Sequence, residues 1–130
     1  MILIDTSAWI DYLHDDELMT PVGREVDALM SERRVVTTGM VVAEILQGAD
    51  DEGDYVGLSR TVGRLPFIEV DKDVWLTAAR WSYELKRKGL TTPLSDLVIA
   101  AAAVSGGHEV YATDPHFERV DGLALHQTRP

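Results

Sequence analysis

Short apolar segments alternate along this chain with longer segments in which apolar residues recur every three or four positions. The short segments are typical of buried strands, and the longer ones are typical of helices that cover a sheet. Strands are predicted at residues 1–4, 34–37, 66–70, 109–113 and 123–126. The alternation predicts an α/β fold, namely a three-layer α/β/α sandwich with a central, mostly parallel sheet of about five strands.

Helix starts and ends are marked by capping residues. Thr6 or Ser7 can cap a first helix, and Thr20 with Pro21 forms a cap followed by a first-turn proline. The remaining helices are predicted at residues 22–30, 39–47 and 55–63, from Asp71 to Gly89, and from Ser95 or Asp96 to residue 104. No linker or internal repeat interrupts this order, so we expect a single domain over residues 1–130.

The composition excludes several kinds of site. Cysteine is absent from the 130 residues, which excludes disulfide bonds, thiolate zinc sites and cysteine nucleophiles. No apolar run approaches the length that crosses a bilayer, and no basic segment precedes an apolar one at the N-terminus, as it would in a secretory signal. We therefore expect a cytoplasmic protein that does not associate with a membrane.

Four carboxylates interrupt or end apolar segments, where an unpaired charge is unfavourable. Asp5 and Asp114 each follow a predicted strand, whereas Glu44 and Asp96 lie in predicted helices. Sheets of this type bind ligands beyond the carboxyl ends of their strands. None of the four acids has a Lys or Arg beside it in the sequence, and carboxylate oxygens are the ligands that Mg²⁺ and Mn²⁺ prefer. The sequence therefore predicts a divalent-cation pocket.

Four segments of the chain, in this order, resemble those of PIN-domain proteins. They are the strand with Asp-Thr-Ser at residues 2–7, the helix VVAEILQG, the segment LSDLVIAAAA and the segment ATDPHFERV. The resemblance covers essentially the whole chain. The chain is as compact as the VapC-type toxins of this family, which it resembles. It implies that Asp5, Glu44, Asp96 and Asp114 form an acidic catalytic quartet.

The resemblance also implies an activity and partners. The activity would be that of an endoribonuclease dependent on Mg²⁺ or Mn²⁺, the toxin of a VapBC-type toxin–antitoxin pair. The implied partners are an RNA substrate, a cognate VapB-type antitoxin and a second copy of the chain in a homodimer.

The chemistry of RNA hydrolysis agrees with such a quartet. Metal ions activate the attacking water and neutralise charge on the phosphate and the leaving oxygen. We expect Asp5 and Asp96 to be direct metal ligands, and Glu44 and Asp114 to act through water or to hold a second ion. Hydrolysis by a metal-activated water would leave a 5′-phosphate.

Other polar side chains lie close to the quartet in sequence. Thr6 and Ser7 are expected to support the site by donating hydroxyl hydrogen bonds to a carboxylate or a bound water. His116 is the one histidine near a site acid, and none of the four histidines lies in a motif that resembles a histidine-based ribonuclease. A histidine mechanism would leave a 2′,3′-cyclic phosphate instead.

The charge distribution bears on RNA binding. The net charge of −10 disfavours tight unspecific binding to a phosphate backbone. Lys86, Arg87 and Lys88 nevertheless form a basic run that is a candidate RNA contact. The other interpretation of this run is a solvated helix end stabilised by the helix dipole.

Two other functions stay open on the sequence alone. A phosphoacceptor signalling domain also has an acidic pocket at a parallel sheet, but it needs a lysine after a late strand, and no lysine follows Lys88. A non-catalytic PIN-like binding module is the second alternative, against which the presence of all four acids argues.

Overall fold

The computed structural model describes residues 1–130 and contains four strands and six α-helices. The strands are β1 (Ile2–Ile4), β2 (Val35–Thr38), β3 (Phe67–Ile68) and β4 (Glu109–Tyr111). The helices are α1 (Thr6–Leu13), α2 (Pro21–Ser31), α3 (Gly39–Gln47), α4 (Glu52–Gly63), α5 (Lys72–Arg87) and α6 (Leu94–Gly106), and a short 3₁₀ helix follows over Pro115–Arg119.

All strand pairs are parallel, in the order β3-β2-β1-β4. In β1, Ile2 pairs with Val35 on one side and with Glu109 on the other. The crossovers from β1 to β2 and from β2 to β3 run in one direction, and the crossover from β3 to β4 returns across the sheet. Because such crossovers are right-handed, α1–α4 cover one face and α5–α6 the other. The predicted α/β/α fold class is confirmed.

The predicted caps explain where two of the helices begin. Thr20 accepts a hydrogen bond from the Gly23 amide, with Pro21 in the first turn of α2. Asp71 accepts a hydrogen bond from the Val74 amide at the start of α5. Each cap satisfies an amide that the helix itself leaves unpaired.

The core is built around β1 and α6. Every residue of β1 is buried, and so is every residue of α6 from Leu97 to Ala103. Four consecutive alanines, Ala100 to Ala103, give this helix small side chains on all sides, so neighbouring elements pack close to its backbone. Burial on all sides explains why its sequence shows little amphipathic pattern.

The sheet has four strands, one fewer than the approximately five expected. The segment predicted as a fifth strand, residues 123–126, forms only an isolated parallel bridge between Val110 and Leu125. Gly122 precedes it with a φ of 81°, a conformation that favours glycine. Backbone hydrogen bonds still join this segment to β4, from the Val110 amide to the Ala124 carbonyl at 2.9 Å and from the His126 amide to the Val110 carbonyl at 2.8 Å. Beyond it, Arg129 binds α2. The helix predicted at residues 55–63 begins earlier, at Glu52, where Asp51 caps it.

The C-terminal segment is held on α2 by a buried carboxylate. Glu25 of α2 is 5% exposed, and its Oε1 accepts hydrogen bonds from His126 Nε2 at 2.6 Å and Arg129 Nε at 2.7 Å. Arg129 also reaches Glu32 of the same helix at 2.9 Å. Burial alone would raise the pKa of Glu25, but the bonds from His126 and Arg129 outweigh it and lower the pKa.

None of the helices combines the length and the apolar character that a bilayer-spanning segment requires.

We expect Glu25→Gln to lower the free energy of unfolding at pH 7 by about 1.5–3 kcal/mol, because it weakens two hydrogen bonds to a buried charge. The difference should begin to shrink below about pH 4.3, the usual pKa of Glu in an unfolded chain, and be lost as pH falls through the lowered pKa of folded Glu25. It should therefore be smaller at about pH 3 than at pH 7. Urea denaturation at both pH values measures this. Glu84→Gln is the matched control, because its exposed ion pair with Arg80 should contribute less than about 0.5 kcal/mol. Equal effects of the two substitutions would contradict the prediction.

Candidate metal-binding active site

The site lies between β1 and β4. Strands β2 and β3 follow on one side of β1, whereas β4 is added on its other side. Asp5 follows β1 and Asp114 comes shortly after β4, so parallel pairing brings both acids to one edge of the sheet. Two cross-links hold these strand ends together. The Asp5 amide donates to the Tyr111 carbonyl at 2.8 Å, and the Thr113 amide donates to Ser7 Oγ at 3.1 Å.

Asp5 is 3% exposed, and only one of its carboxylate oxygens is paired. Its Oδ2 accepts from the Ser7 amide at 3.0 Å and from Ser7 Oγ at 2.6 Å, so Asp5 caps α1. Its Oδ1 is buried without a hydrogen-bond partner. Burial raises the pKa of Asp5, with a smaller contribution from the charge of Asp114, while the bonds from Ser7 oppose the shift. A buried, unpaired carboxylate oxygen is unfavourable unless a cation binds it.

Glu44 approaches the same region from α3, which begins directly after β2. Its Oε1 accepts a hydrogen bond from Thr6 Oγ1 at 2.9 Å, across the 38 residues that separate them in sequence. The two hydroxyls predicted to support the site, those of Thr6 and Ser7, therefore donate to two different carboxylates. Each restrains the rotamer of an acidic side chain.

Asp96 lies in the first turn of α6 but does not cap it. Pro93 occupies the cap position, and no side chain makes a capping hydrogen bond there. The Asp96 carboxylate is directed instead towards His116, whose Nδ1 lies 3.0 Å from Asp96 Oδ2. Burial raises the pKa of Asp96 to about 6, the charges of Asp5 and Asp114 add to the shift, and the His116 hydrogen bond opposes it.

Asp114 and His116 complete the cluster from the 3₁₀ helix. Asp114 caps this helix, because its Oδ1 accepts from the His116 amide at 2.9 Å. The His116 ring returns over the same oxygen, with Nδ1 2.9 Å from Asp114 Oδ1. Asp96, Asp114 and His116 thus offer ligand atoms that all lie within 4.8 Å of one another.

His116 is the site residue that sequence reasoning missed. The one available signal was its position two residues after Asp114 in the Asp-Pro-His segment. A cap formed by Asp114 turns the chain back at once, and this turn brings the imidazole over the carboxylates. The Asp-Pro-His segment alone does not predict the contact between His116 and Asp96, because 20 residues separate these two residues in sequence.

The basic run predicted as an RNA contact lies at the end of α5, outside the carboxylate cluster. Lys86, Arg87 and Lys88 are all exposed and make no ion pair with the four acids. The guanidinium of Arg87 lies 5.4 Å from the centre of the Tyr83 ring. The four acids therefore have no Lys or Arg partner, which agrees with a donor set that suits a hard divalent cation.

The raised pKa of Asp96 has a consequence for stability. The folded chain binds this proton more tightly than the unfolded chain does. The metal-free fold therefore loses stability as pH rises from about 3.9, the usual pKa of Asp, to about 6, and the loss is complete above that. We expect Asp96→Asn to raise the free energy of unfolding by about 1–3 kcal/mol at pH 7.5 in EDTA. The gain should vanish at about pH 3, below the usual pKa of Asp, where Asp96 is protonated in both states. Urea denaturation at the two pH values provides the measurement.

The control for this substitution is Asp121→Asn, which removes an exposed acid and should change stability little at either pH. An Asp96→Asn protein less stable than the wild type at pH 7.5 would mean that burial and the neighbouring charges do not disfavour the ionised Asp96 carboxylate as inferred.

Comparison with known proteins gives consistent matches over nearly the whole chain. The family profile of the PIN domain matches residues 2–123. Ribonuclease VapC11 of Mycobacterium tuberculosis is 35% identical over 122 residues, which are 91% of this chain and 90% of that protein.

Solved structures share the fold. One chain of the DNA-bound VapBC structure from Salmonella typhimurium matches with a TM-score of 0.79 at 22% identity, over 96% of both chains. A chain of the VapBC-5 structure from Mycobacterium tuberculosis matches with a TM-score of 0.65 at 27% identity, over 94% of this chain and 91% of that one. The carboxylates brought together at the end of β1, the profile match and these relatives agree, and the chain belongs to the PIN-domain family.

Proposed function

We propose that this chain is a metal-dependent endoribonuclease, the toxin of a VapBC-type toxin–antitoxin pair, formed by a single domain over residues 1–130. The observation that supports it best is the convergence of Asp5, Asp96 and Asp114, without any Lys or Arg partner. Glu44 is joined to this region through Thr6, and a relative of 35% identity is named a ribonuclease. A phosphoacceptor domain is disfavoured, because no lysine lies against these acids.

In this proposal Asp5, Asp96 and Asp114 hold Mg²⁺ or Mn²⁺. The unpaired Oδ1 of Asp5 and the oxygen donor set support this role. When bound, such an ion lowers the pKa of a water and neutralises charge on the phosphate. Ser7 fixes the Asp5 carboxylate, so that Oδ2 stays engaged and Oδ1 remains available.

Glu44 is proposed to accept the proton of the attacking water. Thr6 binds its Oε1 and fixes the side chain, which leaves Oε2 as the proton acceptor. The water oxygen adds to phosphorus, the bond between phosphorus and O3′ breaks, and the departing O3′ takes up a proton from solvent. The products are therefore a 5′-phosphate and a 3′-hydroxyl, and no histidine is needed to activate the 2′-hydroxyl.

The proposed partners are RNA, a VapB-type antitoxin and a second copy of the chain. The antitoxin is supported by matched chains that belong to VapBC complexes. A homodimer is supported by apolar side chains that stay exposed, among them Phe67 at 50%, Trp75 at 48% and Leu76 at 57%. We further propose a cytoplasmic location, where RNA and antitoxin are both present.

A basic antitoxin segment is expected to bind the carboxylates, because guanidinium groups pair with them in bidentate fashion. A groove beside the first helices, near Trp9 and Leu13, is one candidate surface for the apolar residues of this segment. Trp9 is fully buried, so it cannot contribute to such a surface. Ile10, on the exposed side of the same helix, is available instead, with 44% of its surface exposed.

We expect Asp5→Asn and Asp96→Asn each to lower RNA cleavage by more than about 100-fold, beyond the typical effect of losing a residue that only supports a ligand. Cleavage by the wild type should require Mg²⁺ or Mn²⁺ and stop in EDTA. Labelled RNA with analysis of both product ends provides the measurement, and Asp121→Asn is the control that should retain wild-type activity. Cleavage retained by either variant, or a 2′,3′-cyclic phosphate at the product end, would contradict the metal mechanism.

The basic run at the end of α5 is proposed to contact the RNA backbone. We expect the double substitution Lys86→Ala and Lys88→Ala to weaken RNA binding and to reduce the slope of log affinity against log salt by about 1.4, since each phosphate contact in a single strand contributes roughly 0.7. Binding is measured with the Asp96→Asn protein to prevent cleavage. Lys72→Ala, at the opposite end of the same helix, is the matched control. An unchanged slope would mean that the run is only a solvated helix end.

A further inference from the structure

We propose that His116 is a metal ligand through Nδ1, so that the site combines carboxylate oxygens with one imidazole nitrogen and favours Mn²⁺ over Mg²⁺. This inference rests on the proposed function and adds a nitrogen ligand to its acidic quartet.

The geometry of three ligand atoms carries the proposal. His116 Nδ1 lies 3.0 Å from Asp96 Oδ2 and 2.9 Å from Asp114 Oδ1. Adjacent ligands of an octahedral ion with bonds of 2.0–2.1 Å are roughly 3 Å apart. The imidazole nitrogen therefore already stands at the separation from both carboxylates that a shared ion requires.

The local structure holds the ring in this position. The amide of His116 donates to Asp114 Oδ1 at 2.9 Å, which fixes the backbone relative to one of the proposed ligands. The next side chain, Phe117, is 1% exposed and packs in the core, so the 3₁₀ helix is held firmly against the domain. Nε2 makes no hydrogen bond within the protein. The tautomer with its proton on Nε2 is therefore allowed, and it leaves the Nδ1 lone pair directed at the carboxylates.

A hydrogen bond from Nδ1 to the two carboxylates is the competing arrangement. It would satisfy Asp96 and Asp114, but Asp5 Oδ1 would stay buried without a partner. The charge of Asp5 acts on both of these acids, so the three carboxylates form one cluster. A divalent ion bound beside Nδ1 balances that cluster, whereas a single shared proton does not.

The ligand type determines which metals bind well. Mg²⁺ prefers oxygen ligands only, whereas imidazole suits transition metals, whose affinity for a given site rises from Mn²⁺ towards Cu²⁺. With His116 coordinated, the site should bind Mn²⁺ more tightly than Mg²⁺. Replacing this nitrogen with an amide oxygen should remove most of the preference.

Two measurements on the full-length chain test the proposal. Calorimetric titration gives the affinities for Mn²⁺ and Mg²⁺ separately, and pulsed electron paramagnetic resonance of bound Mn²⁺ detects a directly coordinated nitrogen. The variants are His116→Asn, whose amide can still donate to both carboxylates, His14→Asn as a control for an exposed histidine beyond the far end of α1, and Asp96→Asn. Circular dichroism establishes that each variant is folded.

The expected result is a nitrogen coupling in wild type and His14→Asn that is lost in His116→Asn. The affinity for Mn²⁺ should fall roughly tenfold in His116→Asn, with little change for Mg²⁺. Binding of Mn²⁺ that depends on Asp96 but shows no nitrogen coupling would overturn the inference and leave the ribonuclease proposal standing. Binding that does not depend on Asp96 would overturn the proposed metal site as well.

Discussion

Parallel pairing of β1 with β4 is the constraint on which the site depends. It joins the first strand of the chain to the last, so the residues that follow each strand meet at one edge of the sheet. Ser7 fixes the relative position of the two strand ends, because its hydroxyl donates a hydrogen bond to Asp5 and accepts one from the Thr113 amide. One small side chain thus couples the position of the first carboxylate to the segment that carries Asp114.

The acids serve the fold and the chemistry at once. Asp5 and Asp114 cap helices, which stabilises the turns that leave β1 and β4. Their proximity to Asp96 has the opposite effect, because burial and mutual repulsion hold the pKa of Asp96 at about 6. The metal-free fold therefore carries an electrostatic penalty at the place where a divalent cation would bind.

Local patterns predicted most elements, because capping residues and helical spacing act over a few positions. The caps at Thr20 and Asp71 and the bounds of α3 follow from the sequence in this way. Contacts between distant segments were not predictable. The tail after β4 is held by a hydrogen bond between His126 and Glu25, 101 residues away in sequence, and the apolar pattern of residues 123–126 contains no trace of that bond. The four acids stood out as charges in apolar surroundings, whereas His116 did not, since its role depends on Asp96 across the fold.

The alanine-rich interior of α6 ties the chemistry to packing at a distance. The four buried alanines have no rotamer to change, so volume added at Ala100 to Ala103 would have to be absorbed by movement of the helix or of the elements packed against it. That helix carries Asp96 in its first turn. A larger residue at any of these alanines that shifts the helix would therefore displace the Asp96 carboxylate from one or two turns away, although the alanines are not part of the acidic cluster.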